Sequence, residues 1–169
     1  MKVFIHLFIL LNLMLPYTQA NEIIDEKVKQ TGVAFWKALA DADIEAMKNF
    51  YAPEIILIAG SELLKEKWGI NPTKTRNTNL KLSKESLMQG YRKMIAPERV
   101  EKWKTVFSSI DTAKIIFQSA KQYKKHFENL KDEDIAMIVP TNVGDDRLYF
   151  IFSKTQDNTW LITHEATDY

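Results

Sequence analysis

The chain has 169 residues, with 23 Lys and Arg, 22 Asp and Glu, and no Cys, which gives a formal net charge of +1 at pH 7. This balance lacks the excess of positive charge with which nucleic-acid-binding proteins contact phosphates, so no nucleic-acid partner is expected. The absence of Cys excludes thiolate catalysis, Cys-ligated metals, disulfide bonds and a lipid-modified Cys.

Residues 1–20 have the pattern of a secretory signal peptide. Lys2 precedes a largely apolar run over residues 3–15, and Ala20 places a small residue at the exit. The run is shorter than the about 20 apolar residues that a membrane span needs, which disfavours a retained membrane anchor. We therefore expect cleavage after Ala20, export to the periplasm or the extracellular medium, and a single free domain over residues 21–169.

The charge is distributed unevenly along this expected domain. Residues 63–104 contain eleven Lys and Arg against four Asp and Glu, whereas the segments on either side are acidic. Such a stretch is either solvated surface or the frame of a site for an anionic ligand or an acidic partner.

Helical periodicity predicts a long amphipathic helix over residues 22–40. The step at residues 41–43 provides an N-cap for a second, short helix, which Pro53 is expected to end. A β-branched apolar run at residues 54–59 predicts a buried strand, and a Ser begins a third predicted helix over residues 83–95.

Two segments in the middle of the chain are less regular. Residues 65–82 are polar, rich in Asn and without a period, which predicts a long surface loop. Residues 100–110 fit a helix or a strand, because their aromatic residues suit a helical face and also alternate.

The last third of the chain is rich in strand formers. Predicted strands cover residues 113–120, 135–141, 147–154 and 159–166. A charged connection over residues 121–134 separates the first two of these strands, and turn residues at 142–145 and 156–158 join the last three into an antiparallel meander.

Two segments resemble the nuclear transport factor 2-like superfamily, which includes ketosteroid isomerases and SnoaL-like polyketide cyclases. Residues 35–55, FWKALADADIEAMKNFYAPEI, resemble its opening: an aromatic residue on the first helix, a small-Asp turn, a short helix and a first strand. Residues 160–164, WLITH, resemble its frequent last strand. The resemblance implies an α+β fold, a cone-shaped, cystatin-like roll in which a curved antiparallel sheet wraps around N-terminal helices and leaves a pocket at the open end.

The resemblance does not carry over the isomerase chemistry. The position of the oxyanion tyrosine falls at Phe35, and that of the general base falls at Ala59. An isomerase of that mechanism needs a hydroxyl donor and a carboxylate, and neither side chain supplies one.

The remaining candidate catalytic residue is His164, the histidine in a strand pattern. Strict alternation places it on the face of Trp160 and Ile162, inside the expected cone, with Glu165 on the opposite face. A packed structural histidine is the competing interpretation. The other candidates for the pocket wall are aromatic residues that are either core or pocket: Trp36, Tyr51, Tyr91 and Tyr149.

These patterns favour an exported domain that binds a small, largely apolar ligand or a protein partner, with no metal and no cofactor. The first alternative is an isomerase-, dehydratase- or cyclase-like enzyme that uses His164 with Tyr51 or Tyr91. The second is a module that forms a homodimer through the outer face of its sheet.

Overall fold

The computed structural model describes residues 24–59, 65, 78–141 and 147–167. The predicted leader and its cleavage site at Ala20 lie outside the described residues, as does most of the segment 65–82 that was predicted to be a surface loop. The predicted turn at residues 142–145 also lies outside them.

Two helices form the corner that begins the fold. Helix α1 covers Glu26–Ala40, and the carboxylate of Asp25 caps it by accepting a hydrogen bond from the backbone N–H of Lys27. Helix α2 covers Ile44–Lys48 and is capped in the same way by Asp43. The prediction that Pro53 ends this helix is wrong, because the chain leaves the helix after Lys48 and Pro53 lies within the first strand.

The carboxylate of Asp25 also holds the two ends of the described chain together. Its Oδ2 accepts hydrogen bonds from Trp160 Nε1 at 3.3 Å and from Lys154 Nζ at 3.4 Å. The N-terminal cap of α1 is therefore fixed to the last two strands of the sheet.

Two further helices follow the first two strands. Helix α3 covers Lys84–Met94 and begins at the predicted cap, Ser83, whose hydroxyl accepts the N–H of Ser86. After a 3-10 turn at Pro97–Arg99, helix α4 covers Val100–Ser108, so the segment that fitted either a helix or a strand is a helix.

Six strands within the described residues form one sheet in the order β2-β1-β6-β5-β4-β3. Neighbouring strands are antiparallel except β1 and β6, which are parallel. The strands are β1 Tyr51–Ala59, β2 Thr78–Ser83, β3 Ile116–Ser119, β4 Ile135–Pro140, β5 Arg147–Lys154 and β6 Trp160–Thr167. The mixed α+β class, with a curved open sheet against the N-terminal helices, is as predicted.

Strand β2 corrects the loop predicted over residues 65–82. Leu80 and Leu82 alternate with polar residues and pack against the main core, while the backbone pairs antiparallel with β1. The polar residues that alternate with these two leucines face away from the core. Because they give the segment the composition of a loop, the sequence does not reveal the strand.

The two faces of the sheet carry different layers. The inner face packs on the four helices around a core that includes Phe35, Tyr51, Phe150 and Ile162. The outer face has a smaller cluster, in which Phe127 from the connection between β3 and β4 covers side chains of the central strands. The described part of the chain contains no helix with the length and apolar character needed to cross a membrane.

Strand β6 contains a bulge that decides which side chains face inward. Ile151 pairs with His164 while the next residue of β5, Phe152, pairs with Ile162, so Thr163 is the extra residue. Trp160 and Ile162 belong to the inner core, as predicted. Beyond the bulge the alternation is reversed.

Candidate functional site

Two tyrosines and a carboxyl group meet inside the fold. The hydroxyl of Tyr51 donates to Oε2 of Glu165 at 2.7 Å, and that of Tyr91 donates to Oε1 at 2.5 Å. The two hydroxyl oxygens lie 3.3 Å apart. All three side chains are buried, with Glu165 8% exposed. We call these three residues the acid cluster.

Three separate elements bring the acid cluster together. Tyr51 is the first residue of β1, Tyr91 lies on the buried face of α3, and Glu165 lies in β6 beyond the bulge. Because Thr163 takes up the extra position, Glu165 turns toward the helices instead of the outer face that strict alternation predicts.

Burial dominates the electrostatics of the acid cluster. Removal from water raises the pKa of Glu165 above its ordinary value, although the hydrogen bonds from Tyr91 and Tyr51 act in the opposite direction. Burial, together with the nearby carboxyl group, also raises the pKa of both tyrosines well above the ordinary value. The tyrosines therefore remain proton donors, and each oxygen of Glu165 is already engaged.

The two positions that correspond to the isomerase residues in the resemblance are apolar, and one of them, Phe35, contacts the acid cluster. The ring of Phe35 meets that of Tyr51 edge to face at 5.5 Å and that of Phe150 at 4.8 Å. Ala59 is buried in the same core. Neither position adds a group that transfers protons.

His164 does not face the acid cluster, so the prediction that it lies inside the cone with Trp160 and Ile162 is wrong. The bulge turns it to the outer face, where its ring packs edge to face on Phe127 at 5.7 Å. Its Nε2–H donates to the carbonyl oxygen of Glu128 at 2.8 Å.

The hydrogen bonds of His164 engage both ring nitrogens. A carbonyl oxygen only accepts, so Nε2 carries a proton, and Nδ1 lies 2.9 Å from the Thr163 hydroxyl oxygen. Burial lowers the pKa of His164, against the smaller opposing effects of the Glu128 carbonyl and of Asp134. This geometry fits the structural-histidine interpretation.

The other predicted pocket residues are distributed over the molecule. Trp36 is buried and meets Phe107 edge to face at 5.7 Å. Tyr149 lies on the outer face and packs against Tyr123 at 5.5 Å, which corrects its interpretation as a candidate for the pocket wall. Of the five predicted pocket residues, the structure thus joins only Tyr51 and Tyr91 by a direct hydroxyl contact.

A groove opens beside the acid cluster, between the end of α3 and helix α4. Its volume is about 360 Å³, and it is lined by Met94, Arg99, Lys102, Trp103, Val106 and Phe107. Trp103 connects the two sites, because its ring meets that of Tyr91 edge to face at 6.4 Å. We call it the α3–α4 groove.

Trp103, which forms the floor of the α3–α4 groove, is held in place by contacts with α1 and with a neighbouring ring. The Nε1–H of Trp103 donates to the carbonyl oxygen of Leu39 in α1 at 2.7 Å, and its ring packs on Phe107 at 4.3 Å. By contrast, Val106 is 40% exposed. The groove therefore combines a fixed aromatic floor with open apolar surface.

Sequence reasoning missed Glu165 and most of the groove. Strict alternation assigned Glu165 to the outer face. The groove was not predicted because residues 100–110, which form most of it, fitted either a helix or a strand. The signal that was available is the basic stretch at residues 63–104, which contains Arg99 and Lys102. Among the residues that the structure describes, no three metal-binding side chains lie close enough together to hold an ion.

No family model matches the chain, and no curated protein matches it. The chain is, however, similar to several solved structures. A SnoaL-like protein of unknown function from Burkholderia thailandensis is 11% identical, with a TM-score of 0.46, over 83% of this chain and 92% of that one. An NTF-2 like protein of unknown function from Shewanella oneidensis is 13% identical, with a TM-score of 0.42, over 83% of this chain and 95% of that one.

A DUF4783 family protein from Bacteroides ovatus is also similar, at 14% identity and a TM-score of 0.41, over 80% of this chain and 91% of that one. Likenesses at this level of identity and TM-score carry no argument about activity. Proteins described as SnoaL-like and NTF-2 like are among those to which the chain is similar, and the resemblance of residues 35–55 and 160–164 to the nuclear transport factor 2-like superfamily stays a prediction.

Proposed function

We propose that this protein is an exported binding protein for a small, largely apolar ligand, and that the ligand occupies the α3–α4 groove. The observation that carries the proposal is the groove itself, where Met94, Val106 and two aromatic rings leave apolar surface open to solvent. Ligand sites are concave, mostly apolar and about 300–1,000 Å³ in volume. A volume of about 360 Å³ lies at the low end of that range and favours a small ligand.

The fixed floor of the groove supports binding. Trp103 is tied to α1 by its hydrogen bond to Leu39 and is packed between Tyr91 and Phe107. A ligand that meets a side chain already held in place does not have to immobilise it, which reduces the entropic cost of association.

The enzyme alternative has less support. His164 lies on the outer face of the sheet, whereas Tyr51 and Tyr91 lie within the inner core. A histidine and a tyrosine on opposite faces do not reach one substrate atom, and general acid–base catalysis requires such reach. The carboxyl group of Glu165 is occupied by two tyrosine donors.

The test uses decanol as a neutral apolar probe, with binding measured by calorimetry and by tryptophan emission. Val106→Asp introduces a charge into the groove and should weaken binding by about tenfold or more, because a carboxylate loses hydration against an apolar ligand. Val33→Asp is the matched control, since Val33 is 41% exposed, lies on α1 and is not a groove residue.

The two variants decide the proposal together. Both replace an exposed side chain and should fold like the unmodified protein. We expect Val33→Asp to bind decanol normally, and Trp103→Phe to remove the emission change. A chain that does not bind decanol, or equal binding by the two Asp variants, would overturn the proposal.

A further inference from the structure

Two cationic side chains lie at one end of the α3–α4 groove. Arg99 ends the 3-10 turn and Lys102 lies in the first turn of α4, three positions later, so the two are neighbours on one helix face. Both line the groove. Phe107 lies eight positions after Arg99, which corresponds to about 12 Å along a helix axis. The groove therefore has a cationic end and an apolar end.

The charge at the cationic end is weakly neutralised. Glu98 approaches Arg99 only to 4.0 Å, and both side chains are largely exposed, at 70% and 52%. Exposed pairs of this kind contribute little. Lys102 takes part in none of the salt bridges between described residues. Glu101 also lies in the first turn of α4, but it is not a groove residue.

The beginning of α4 adds to this positive end. Arg99 occupies the N-cap position of α4 and provides no side-chain cap, and the partial positive charge of a helix N-terminus lies at the same end as Arg99 and Lys102. This is the part of the basic stretch at residues 63–104 that the structure brings to an apolar surface.

We propose that the ligand of the α3–α4 groove is a free, single-chain amphiphile with an anionic carboxylate head, which Arg99 and Lys102 bind while the chain lies along Trp103 and Phe107. This inference rests on the proposed function. The small volume fits one chain. The aromatic floor is partly buried, and Val106, at 40%, is the most exposed of the apolar lining residues, so the open apolar surface is small compared with a face that enters a bilayer.

The experiment compares decanoate with decanol, which have the same chain and differ in head group. At low salt and neutral pH, calorimetry should show decanoate binding about fivefold tighter, and added salt should reduce this preference because it screens exposed charges. The double variant Arg99→Gln/Lys102→Gln should lose the preference for decanoate over decanol. Lys93→Gln/Lys104→Gln removes the same charge outside the groove and should keep the preference.

Each outcome has a distinct meaning. Equal affinity for the two probes in the unmodified protein overturns the anionic head and leaves the proposed function standing. Binding of neither probe overturns both proposals. A preference for decanoate that survives in Arg99→Gln/Lys102→Gln overturns the assignment to these residues. Sedimentation with anionic phospholipid vesicles, without binding of monomeric decanoate, identifies the groove as a membrane surface and overturns the free ligand.

Discussion

At the scale of single residues, Glu165 shows how neighbours set the chemistry of a carboxyl group. Its two tyrosine donors replace part of the hydration lost by burial, yet the net effect is a raised pKa. Asp25 shows the opposite case. The hydrogen bond from the Lys27 backbone, aided by Trp160 and Lys154, lowers the pKa of Asp25. As the pH rises, the contribution of Glu165 to stability therefore decreases, whereas that of Asp25 increases.

We predict that Glu165→Gln changes how stability depends on pH. Because the pKa of Glu165 is raised above 4.5 in the folded protein, the folded state keeps a proton that the unfolded chain has released. Stability from this group is fully present below pH 4.5 and is lost as the pH rises through the folded-state pKa. Gln does not titrate, so the free energy of unfolding of the unmodified protein should fall relative to that of the variant over this range.

Urea unfolding at a series of pH values measures this difference. The exposed Glu133→Gln is the matched control for the loss of one carboxyl group and should show no comparable trend. A difference between Glu165→Gln and the unmodified protein that is the same at every pH would contradict the prediction.

At the same scale, the facing of His164 and Glu165 was not predictable from alternation. A bulge adds one residue to one strand, and the position of Thr163 in the sequence carries no distinguishing signal such as Gly or Pro. Trp160 and Ile162 precede the bulge, so strict alternation assigned them to the correct face. His164 and Glu165 follow the bulge, so the same alternation assigned them to the wrong faces.

At the scale of elements, side chains from two strands pack directly against α1 at Gly32. A Cβ atom at this position would lie 2.6 Å from the Phe117 ring of β3 and 2.8 Å from the sulfur of Met137 in β4. The absent side chain thus leaves the space that the Phe117 ring and the Met137 sulfur occupy.

We predict that Gly32→Ala is destabilising. In an open helix this change would stabilise by about 0.5–1 kcal/mol, but here the added methyl group displaces Phe117 and Met137, and overpacking costs about 1–3 kcal/mol. Phe117→Leu in the same chain should recover part of the loss. Urea unfolding checks both variants, and a Gly32→Ala protein more stable than the unmodified one would rule out the close packing.

The elements themselves were largely predictable. Caps at Asp43 and Ser83 and the apolar periods located α1 to α3, and turn residues with β-branched runs located β4 to β6. Strand β2 was missed because its pairing with β1 is a tertiary property. The state of α4 was left open because its aromatic residues fit both periods, and the hydrogen bond from Trp103 Nε1–H to the Leu39 carbonyl is a tertiary contact that no local pattern contains.

At the scale of the whole molecule, the chain covers part of its own outer sheet face. Phe127 packs on His164, whose ring is hydrogen-bonded to the Glu128 carbonyl, and Tyr123 packs on Tyr149. A second copy that approached this face would meet the β3–β4 connection as well as the strands. This covering leaves less apolar surface for a homodimer through the sheet.

Export remains a prediction about the whole chain. We expect the exported protein to begin at Asn21, because Ala20 follows a short apolar run and precedes a polar segment. N-terminal sequencing of protein recovered from the periplasm or the medium measures this directly, with a variant that carries Ala20→Lys as the control for processing. A recovered protein that still begins at Met1 would exclude the assigned cleavage.

Asp25 joins the beginning of α1 to Trp160 across 135 positions of sequence. Closing so long a loop costs chain entropy, so this contact should form after the barrier to folding is crossed. Asp25→Ser keeps a capping hydroxyl for α1 but is too short to reach the indole. We expect it to speed unfolding in stopped-flow experiments while refolding is unchanged, whereas slower refolding would mean that the two ends of the fold already meet in the transition state.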